Sequence, residues 1–150
     1  MNVVSALDRG GTGLEYLQKI LSGEYPNLPI GEHVGFRMAE VSKGRIVFEG
    51  QPAANMLNLI GTVHGGYAAA ILDSALALSI LSALDAESDF TTLEIKVNYV
   101  RPIAVAMALR AEGNVVHVGR RVATAEARLA GLDGRLLAHG TTTCLVLPRK

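Results

Sequence analysis

Cysteine is nearly absent. Cys144 is the single one in 150 residues, so no disulfide can form within the chain, and a reducing compartment, the cytoplasm, is the expected location. A reactive thiol needs a base and an electropositive setting. Neither adjoins Cys144 in sequence, and its apolar, strand-like surroundings read as core. Tryptophan is missing and aromatics make up 5 % of a chain that is 49 % apolar, so the core has to be built from Ala, Val, Leu and Ile. Surplus charge is missing too, since 14 basic residues offset 14 acidic ones. That balance argues against a general nucleic-acid or anionic-membrane binder, though not against a local basic patch. The histidines, His33, His64, His117 and His139, show no ligand spacing, so no metal is expected. Met1 to Thr12 holds no apolar run behind a basic region, and no signal peptide is read there. With no internal repeat, the length suits one domain over residues 1–150, with residues 1–24 as a helical extension. Such a length buries about two thirds of the unfolded surface.

What is present is ordered by its hydrophobic spacing. Thr12 and Glu15 have the spacing of a capping box, Leu14, Leu17 and Leu21 form a stripe, and Gly23 is placed to end the helix. Tyr25 to Gly31, with Pro26 and Pro29, reads as loop. Phe36 to Val41 and Arg45 to Glu49 flank Lys43-Gly44 as a hairpin. Gln51 to Gly61 is irregular. From Tyr67 to Leu84 the polar residues are Asp73, Ser74, Ser79 and Ser82. A helix apolar on every side is buried in protein or in a membrane. The mid-run carboxylate and the lack of flanking Lys or Arg clusters argue against a membrane. Strands are expected from Leu93 to Tyr99, from Val105 to Glu112 with a stop at Gly113-Asn114, from Val122 to Leu129, and from Leu136 to Leu147 after the Asp133-Gly134 turn. Short links favour antiparallel pairing. The sum is an α+β fold, with a sheet of five to six antiparallel strands curled round one long apolar helix.

A few residues can carry chemistry. Asp73 sits inside the apolar helix, with no Lys or Arg between Arg45 and Lys96. It is either a buried ion pair or backbone bond, or a carboxylate kept for general-base or nucleophilic work. His64-Gly65-Gly66 opens the same helix, where free N–H groups and the helix dipole can stabilise an oxyanion. Two glycines there also simply permit close packing, and His64 can be a cap. The eight residues from Gly65 to Asp73 span about 12 Å of helix. One chain cannot easily bring both to a single carbonyl, so a shared reaction requires at least a homodimer. Asn58 alone reads as a loop residue. Arg120-Arg121 after Gly119 could fork onto phosphates or decorate a solvated turn. Thr91 and Thr92 open a strand, where a hydroxyl could orient water.

The segment MLNLIGTVHGGYAAAILDSA, with Asn58, Gly61, His64, Gly65, Gly66 and Asp73, resembles the hotdog-fold thioesterases of the phenylacetate-pathway (PaaI) type. Their pattern is Asn, then Gly-x-x-His-Gly-Gly, then a helical Asp or Glu. Asn98 to Pro102 and Gly119 to Arg121 resemble the family as well, and the likeness runs from about Gly35 to Leu147. It implies a hotdog fold, a dimer or a tetramer built from two dimers, and hydrolysis of an aryl-, phenylacetyl- or medium-chain acyl-CoA. No cofactor is implied, because CoA is part of the substrate. By resemblance Asp73 is the nucleophile or general base, the Gly65 N–H polarises the thioester carbonyl, Asn58 positions water or the carbonyl, and His64 shapes the pocket. Tyr99, His117, Gly119, Arg120, Arg121 and Val122 resemble the part that holds coenzyme A. The chain departs from some relatives in having Ala77 where they carry Ser or Thr. Thr92 matches the hydroxyl that the Asp-bearing relatives use. A hydratase or dehydratase of the same fold would carry a different His–carboxylate pattern, and a non-catalytic acyl-CoA sensor would not need Asp73.

Overall fold

Thr12 opens the first helix as its spacing to Glu15 predicts. The Glu15 N–H donates to its hydroxyl at 3.2 Å, and its own N–H donates to the Glu15 carboxylate at 2.8 Å, closing two orphan donors at one helix end. The structure, a computed structural model, describes residues 10–149. Most of the segment read as lacking a signal peptide lies outside them. Helix α1 spans Gly13–Leu21 and buries Leu17 and Ile20. Leu21, expected in the buried stripe, is exposed: the buried face runs through Gly13, Leu17 and Ile20, and Leu21 is the last residue of the helix. The Tyr25 to Gly31 stretch is not all loop. Pro29 starts a second short helix, α2 (Pro29–Val34), with its missing N–H at a position where no helical bond is needed.

Strands β1 (Phe36–Ser42) and β2 (Arg45–Gly50) form the expected hairpin. Gly44 takes φ 78° at its turn, a value a side chain disfavours. A 3-10 turn at Ala54–Met56 then leads to helix α3 (Gly65–Ala83). The remaining strands are β3 (Ser88–Tyr99), β4 (Leu109–Val118), β5 (Val122–Gly131) and β6 (Leu136–Pro148). All six strands join one sheet in the order β1-β2-β4-β5-β6-β3, antiparallel throughout.

Two strand bounds differ from the sequence reading. β3 starts at Ser88, five residues before Leu93, because Phe90 and Thr92 already point inward and pair with β6. β4 does not stop at Gly113-Asn114. It starts later, at Leu109, and runs through Gly113, which pairs with Ile46 and Ala127. Gly113 is a contact residue and not a turn. A methyl group there would collide with the Ala75 carbonyl of α3, so its lack of a side chain lets the helix lie directly on the strand.

The inner face of the sheet explains how a core can do without aromatics. Ala111, Gly113, Ala123, Ala125, Ala127 and Ala138 floor it, and α3 fills the space above with Ile71, Leu72, Leu76 and Ile80, each fully buried. Small residues opposite large ones give close packing without bulky rings. α3 is long and apolar enough to cross a membrane by length and composition. Its apolar residues are instead buried against β2, β4, β5 and β6. Its polar residues are mostly satisfied locally: Ser79 Oγ donates to the Leu76 carbonyl at 2.7 Å, and Ser82 Oγ to that of Ser79 at 2.6 Å. The sheet leaves one face of α3 uncovered, where Gly66, Ala69, Ala70 and Asp73 recur at helical spacing.

Candidate functional site

The residues singled out from the sequence fall into two groups. The first gathers at the N-terminus of α3. His64 is the helix cap, and the Gly66 N–H donates to its Nδ1 at 2.8 Å, which leaves the proton of the neutral ring on Nε2. The Tyr67 N–H donates to the His64 carbonyl at 3.0 Å. The Gly65 N–H finds no acceptor among the described residues. It is therefore the donor of the first turn left for a ligand.

Asn58 stands beside this helix end, but its carboxamide is largely occupied. Oδ1 accepts the N–H groups of Ile60 (3.0 Å) and Thr62 (3.1 Å), and Nδ2 donates to Thr62 Oγ1 at 2.8 Å. Asn58 thus builds the loop from 58 to 62, and one Nδ2 hydrogen is left for a ligand. Tyr99 closes the group: its hydroxyl donates to the Gly65 carbonyl at 3.0 Å. A cavity of about 330 Å³ lies between Asn58, His64, Gly65, Tyr99, Arg101 and Ile103. On the other side of His64 a second cavity of about 350 Å³ is lined by Val34, Met56, Leu57, Tyr67 and Ala70, with no charged group in that lining. A larger hollow near Asn27 and Phe36 contains the Arg37–Glu49 ion pair (3.3 Å) and none of the candidate residues.

Asp73 heads the second group, two turns along α3. It has no ion-pair partner among the described residues, and its Oδ1 is buried without a hydrogen bond. Neither an ion pair nor a backbone bond, the structural alternatives the sequence left open, forms at that oxygen among the described residues. Burial raises the carboxyl pKa above its ordinary value. Its neighbourhood is the inner end of β3 and β6. Thr92 pairs with Cys144 in the sheet, with Thr92 Oγ1 3.8 Å from Cys144 Sγ. Burial pushes the Cys144 thiol pKa up, and the nearby Asp73 charge adds to the rise. Cys144 is a buried core thiol, as its sequence setting implied. Among the described residues, no three His, Cys, Asp or Glu side chains group so as to hold a metal ion.

The sheet register sets these groups apart. Thr92 and Tyr99 lie opposite Cys144 and Ala138, six rungs apart once the bulge at Thr92–Glu94 is counted, roughly 20 Å along a strand. The turn between β4 and β5 belongs to the Thr92 end, because Ala123, Cys144 and Thr92 share one row across the sheet. There the Gly119 N–H donates to the Val122 carbonyl at 2.8 Å. His117, Arg120, Arg121 and Val122 are all exposed, and neither arginine forms a salt bridge among the described residues. The set that resemblance assigned to coenzyme A is therefore divided in one chain, with Tyr99 in one group and the arginine turn in the other.

Known proteins match this chain in sequence and fold. The sequence profile of the thioesterase superfamily matches residues 60–138, which take in α3 and both ends of the site. The chain belongs to the thioesterase superfamily. A mutant of the phenylacetic acid degradation protein PaaI from Thermus thermophilus is 30 % identical, covering 79 % of this chain and 98 % of its own, with a TM-score of 0.73. A Streptococcus mutans UA159 protein bound to acetyl CoA is 25 % identical, covering 77 % of this chain and 91 % of its own, with a TM-score of 0.71. A Caenorhabditis elegans protein classed provisionally as an esterase is 30 % identical over 112 residues, and this chain spans 74 % of itself and 66 % of that relative in the match. The sheet wrapped round one apolar helix is the hotdog fold of this superfamily, and the PaaI-type resemblance extends to the overall fold.

For a thioesterase-superfamily chain, one feature of the site escaped the sequence reading. Leu59 and Ile60 are 106 % and 84 % exposed, held outward by the loop that Asn58 ties together. With Leu57 also exposed, they give this loop an outward apolar surface next to His64. The signal was available: two adjacent large aliphatic residues between Asn58 and Gly61, in a segment otherwise typical of turns.

Proposed function

We propose that the chain hydrolyses acyl-CoA thioesters as a homodimer or a pair of dimers, with each active site made from two subunits. The observation that carries this reading is Asp73: a carboxylate with a buried, unpartnered oxygen on the uncovered face of α3. A buried charge without a partner is costly, and such groups concentrate at functional sites. The Gly65 N–H supplies the other half. It polarises the thioester carbonyl of a substrate whose carbon is attacked by Asp73 of the second subunit, or by water that this Asp73 deprotonates. The proposal uses only water and groups of this chain, with CoA entering as part of the substrate and no separate cofactor. The buried thiol fits a reducing, cytoplasmic setting.

The sheet supports the pairing. β3 is an edge strand of 12 residues with one side unpaired, a ready template for a second strand. Antiparallel pairing of β3 with its copy sets the start of one strand beside the end of the other. The Asp73–Thr92 group of one subunit then faces the Gly65–Tyr99 group of its neighbour, so Thr92 supports the carboxylate and Asn58 and His64 shape the opposite wall. The same pairing reunites Tyr99 with the turn of His117, Gly119, Arg120, Arg121 and Val122, which holds the coenzyme A phosphates.

The direct test is free-thiol release from aryl-, phenylacetyl- and C4 to C16 acyl-CoAs. Turnover supports hydrolysis and names the acyl class. Binding without turnover across the panel would turn the reading to a sensor. A second expectation concerns the arginine turn. Replacing Arg120 and Arg121 together by Ala should raise KM about tenfold at low salt and leave kcat within about threefold, because forked guanidinium–phosphate bonds contribute mainly to binding. The loss should shrink as salt screens the wild-type contact. An unchanged KM would remove the arginines from the coenzyme A site.

A further inference from the structure

We propose that Tyr99 is a positioning residue: its hydroxyl holds the first turn of α3 so that the Gly65 N–H points at the thioester oxygen. The inference rests on the thioesterase reading above and assigns Tyr99 a task different from holding coenzyme A.

Gly65 and Gly66 are two adjacent residues with the freest backbone of any, placed where an oxyanion donor has to stay fixed before substrate arrives. Each is tied by one side chain. The Gly66 N–H is held by His64 Nδ1, and the Gly65 carbonyl by the Tyr99 hydroxyl. These two bonds leave the Gly65 N–H as the free donor between them. The Tyr99 ring also lies against Gly65. A methyl group on Gly65 would sit 3.0 Å from its Cζ and 3.1 Å from its Cε1 and hydroxyl oxygen, so ring and glycine are in contact.

Tyr99 can hold a position because its own backbone is held. It is the last residue of β3, paired with Ala138, and the next N–H groups, of Val100 and Arg101, both donate to the Leu137 carbonyl at 2.8 and 3.0 Å. The residue as a whole is 58 % exposed. Its hydroxyl is thus spent on the helix end and not offered to a phosphate. β3 is also the edge that joins subunits in the reading above, so the strand that builds the dimer ends in the group that fixes the donor.

Tyr99→Phe keeps the ring on Gly65 and removes only the hydroxyl. The expected result is a fall in kcat of about tenfold, with KM within about twofold and an unchanged melting temperature. A readout that a purely structural role would not move is the carbonyl stretch of ¹³C-labelled phenylacetyl-CoA, or the best substrate of the panel, bound to D73N protein. Its shift to low frequency should lessen when Tyr99→Phe is added. A raised KM at constant kcat would make Tyr99 a substrate contact, and unchanged kinetics and carbonyl shift would make its bond idle; either overturns the proposal. Wild-type protein that cleaves no thioester would sink the reaction itself, whereas wild-type turnover indifferent to Tyr99→Phe sinks only this role.

Discussion

Asp73→Asn is expected to lower kcat by about 10³-fold or more and, at neutral pH, to make the protein more stable. The rate effect follows from either role of the carboxylate. Asn can neither form an acyl intermediate nor accept a proton from water, and such groups contribute on the order of 10²–10⁴ in rate, or more when they are the nucleophile. Binding should survive, because the amide keeps the shape of the acid. The stability effect comes from burial, which raises the Asp73 pKa above its ordinary 3.8. Over the interval between the unfolded and folded values, the folded state keeps a proton that the unfolded chain has released. Stability therefore falls as pH rises through that interval, and above it the full cost of the buried charge is present. The amide carries no such charge. D73N should melt higher at pH 7, and the gap should close as acid protonates wild-type Asp73. The acid limb of kcat/KM should likewise lie above the usual carboxylate range. Full activity in D73N would end the proposed mechanism, and a lower melting temperature at pH 7 would mean that a partner group already neutralises the charge.

Asp73 could be singled out in the sequence for a local reason. A charged residue inside an apolar run breaks the local pattern, and such breaks collect at functional sites. The same logic found Gly65, the long helix and the antiparallel strands, since each leaves a periodic or compositional mark. What the sequence did not show was contact. Gly113 looks like a strand breaker because glycine is one in most settings. Only the position of the Ala75 carbonyl shows that the missing side chain is room for α3. Asn58 matched a family position, yet its three hydrogen bonds stay within its own loop. Tyr99 is singled out only by resemblance, for coenzyme A, and its bond to Gly65 spans 34 positions. The division of the candidates into two groups depends on the β3–β6 register, which a single sequence carries only weakly.

Gly65→Pro should abolish most activity by deleting one hydrogen. Proline at the first position of a helix costs little, because that N–H has no helical acceptor. The residue before a proline has to be extended, and His64, at φ −59° and ψ 137°, already is. The added Cβ crowds Tyr99, as it does in Gly65→Ala, which keeps the N–H and serves as the control. Loss of one oxyanion donor costs about 10²–10³ in kcat, so Gly65→Pro should fall that far below Gly65→Ala. The two nearly dead variants then test whether the site is shared. In a dimer of one D73N and one G65P subunit, one site joins an intact Gly65 to an intact Asp73 across the interface, and the other site has neither. Unfolding and refolding an equal mixture gives half mixed dimers by chance, each with one working site of two. The mixture should recover about a quarter of wild-type activity from parents that have almost none. If Gly65 and Asp73 of the same chain served one site, every subunit in the mixture would still lack one of them, and mixing would restore nothing.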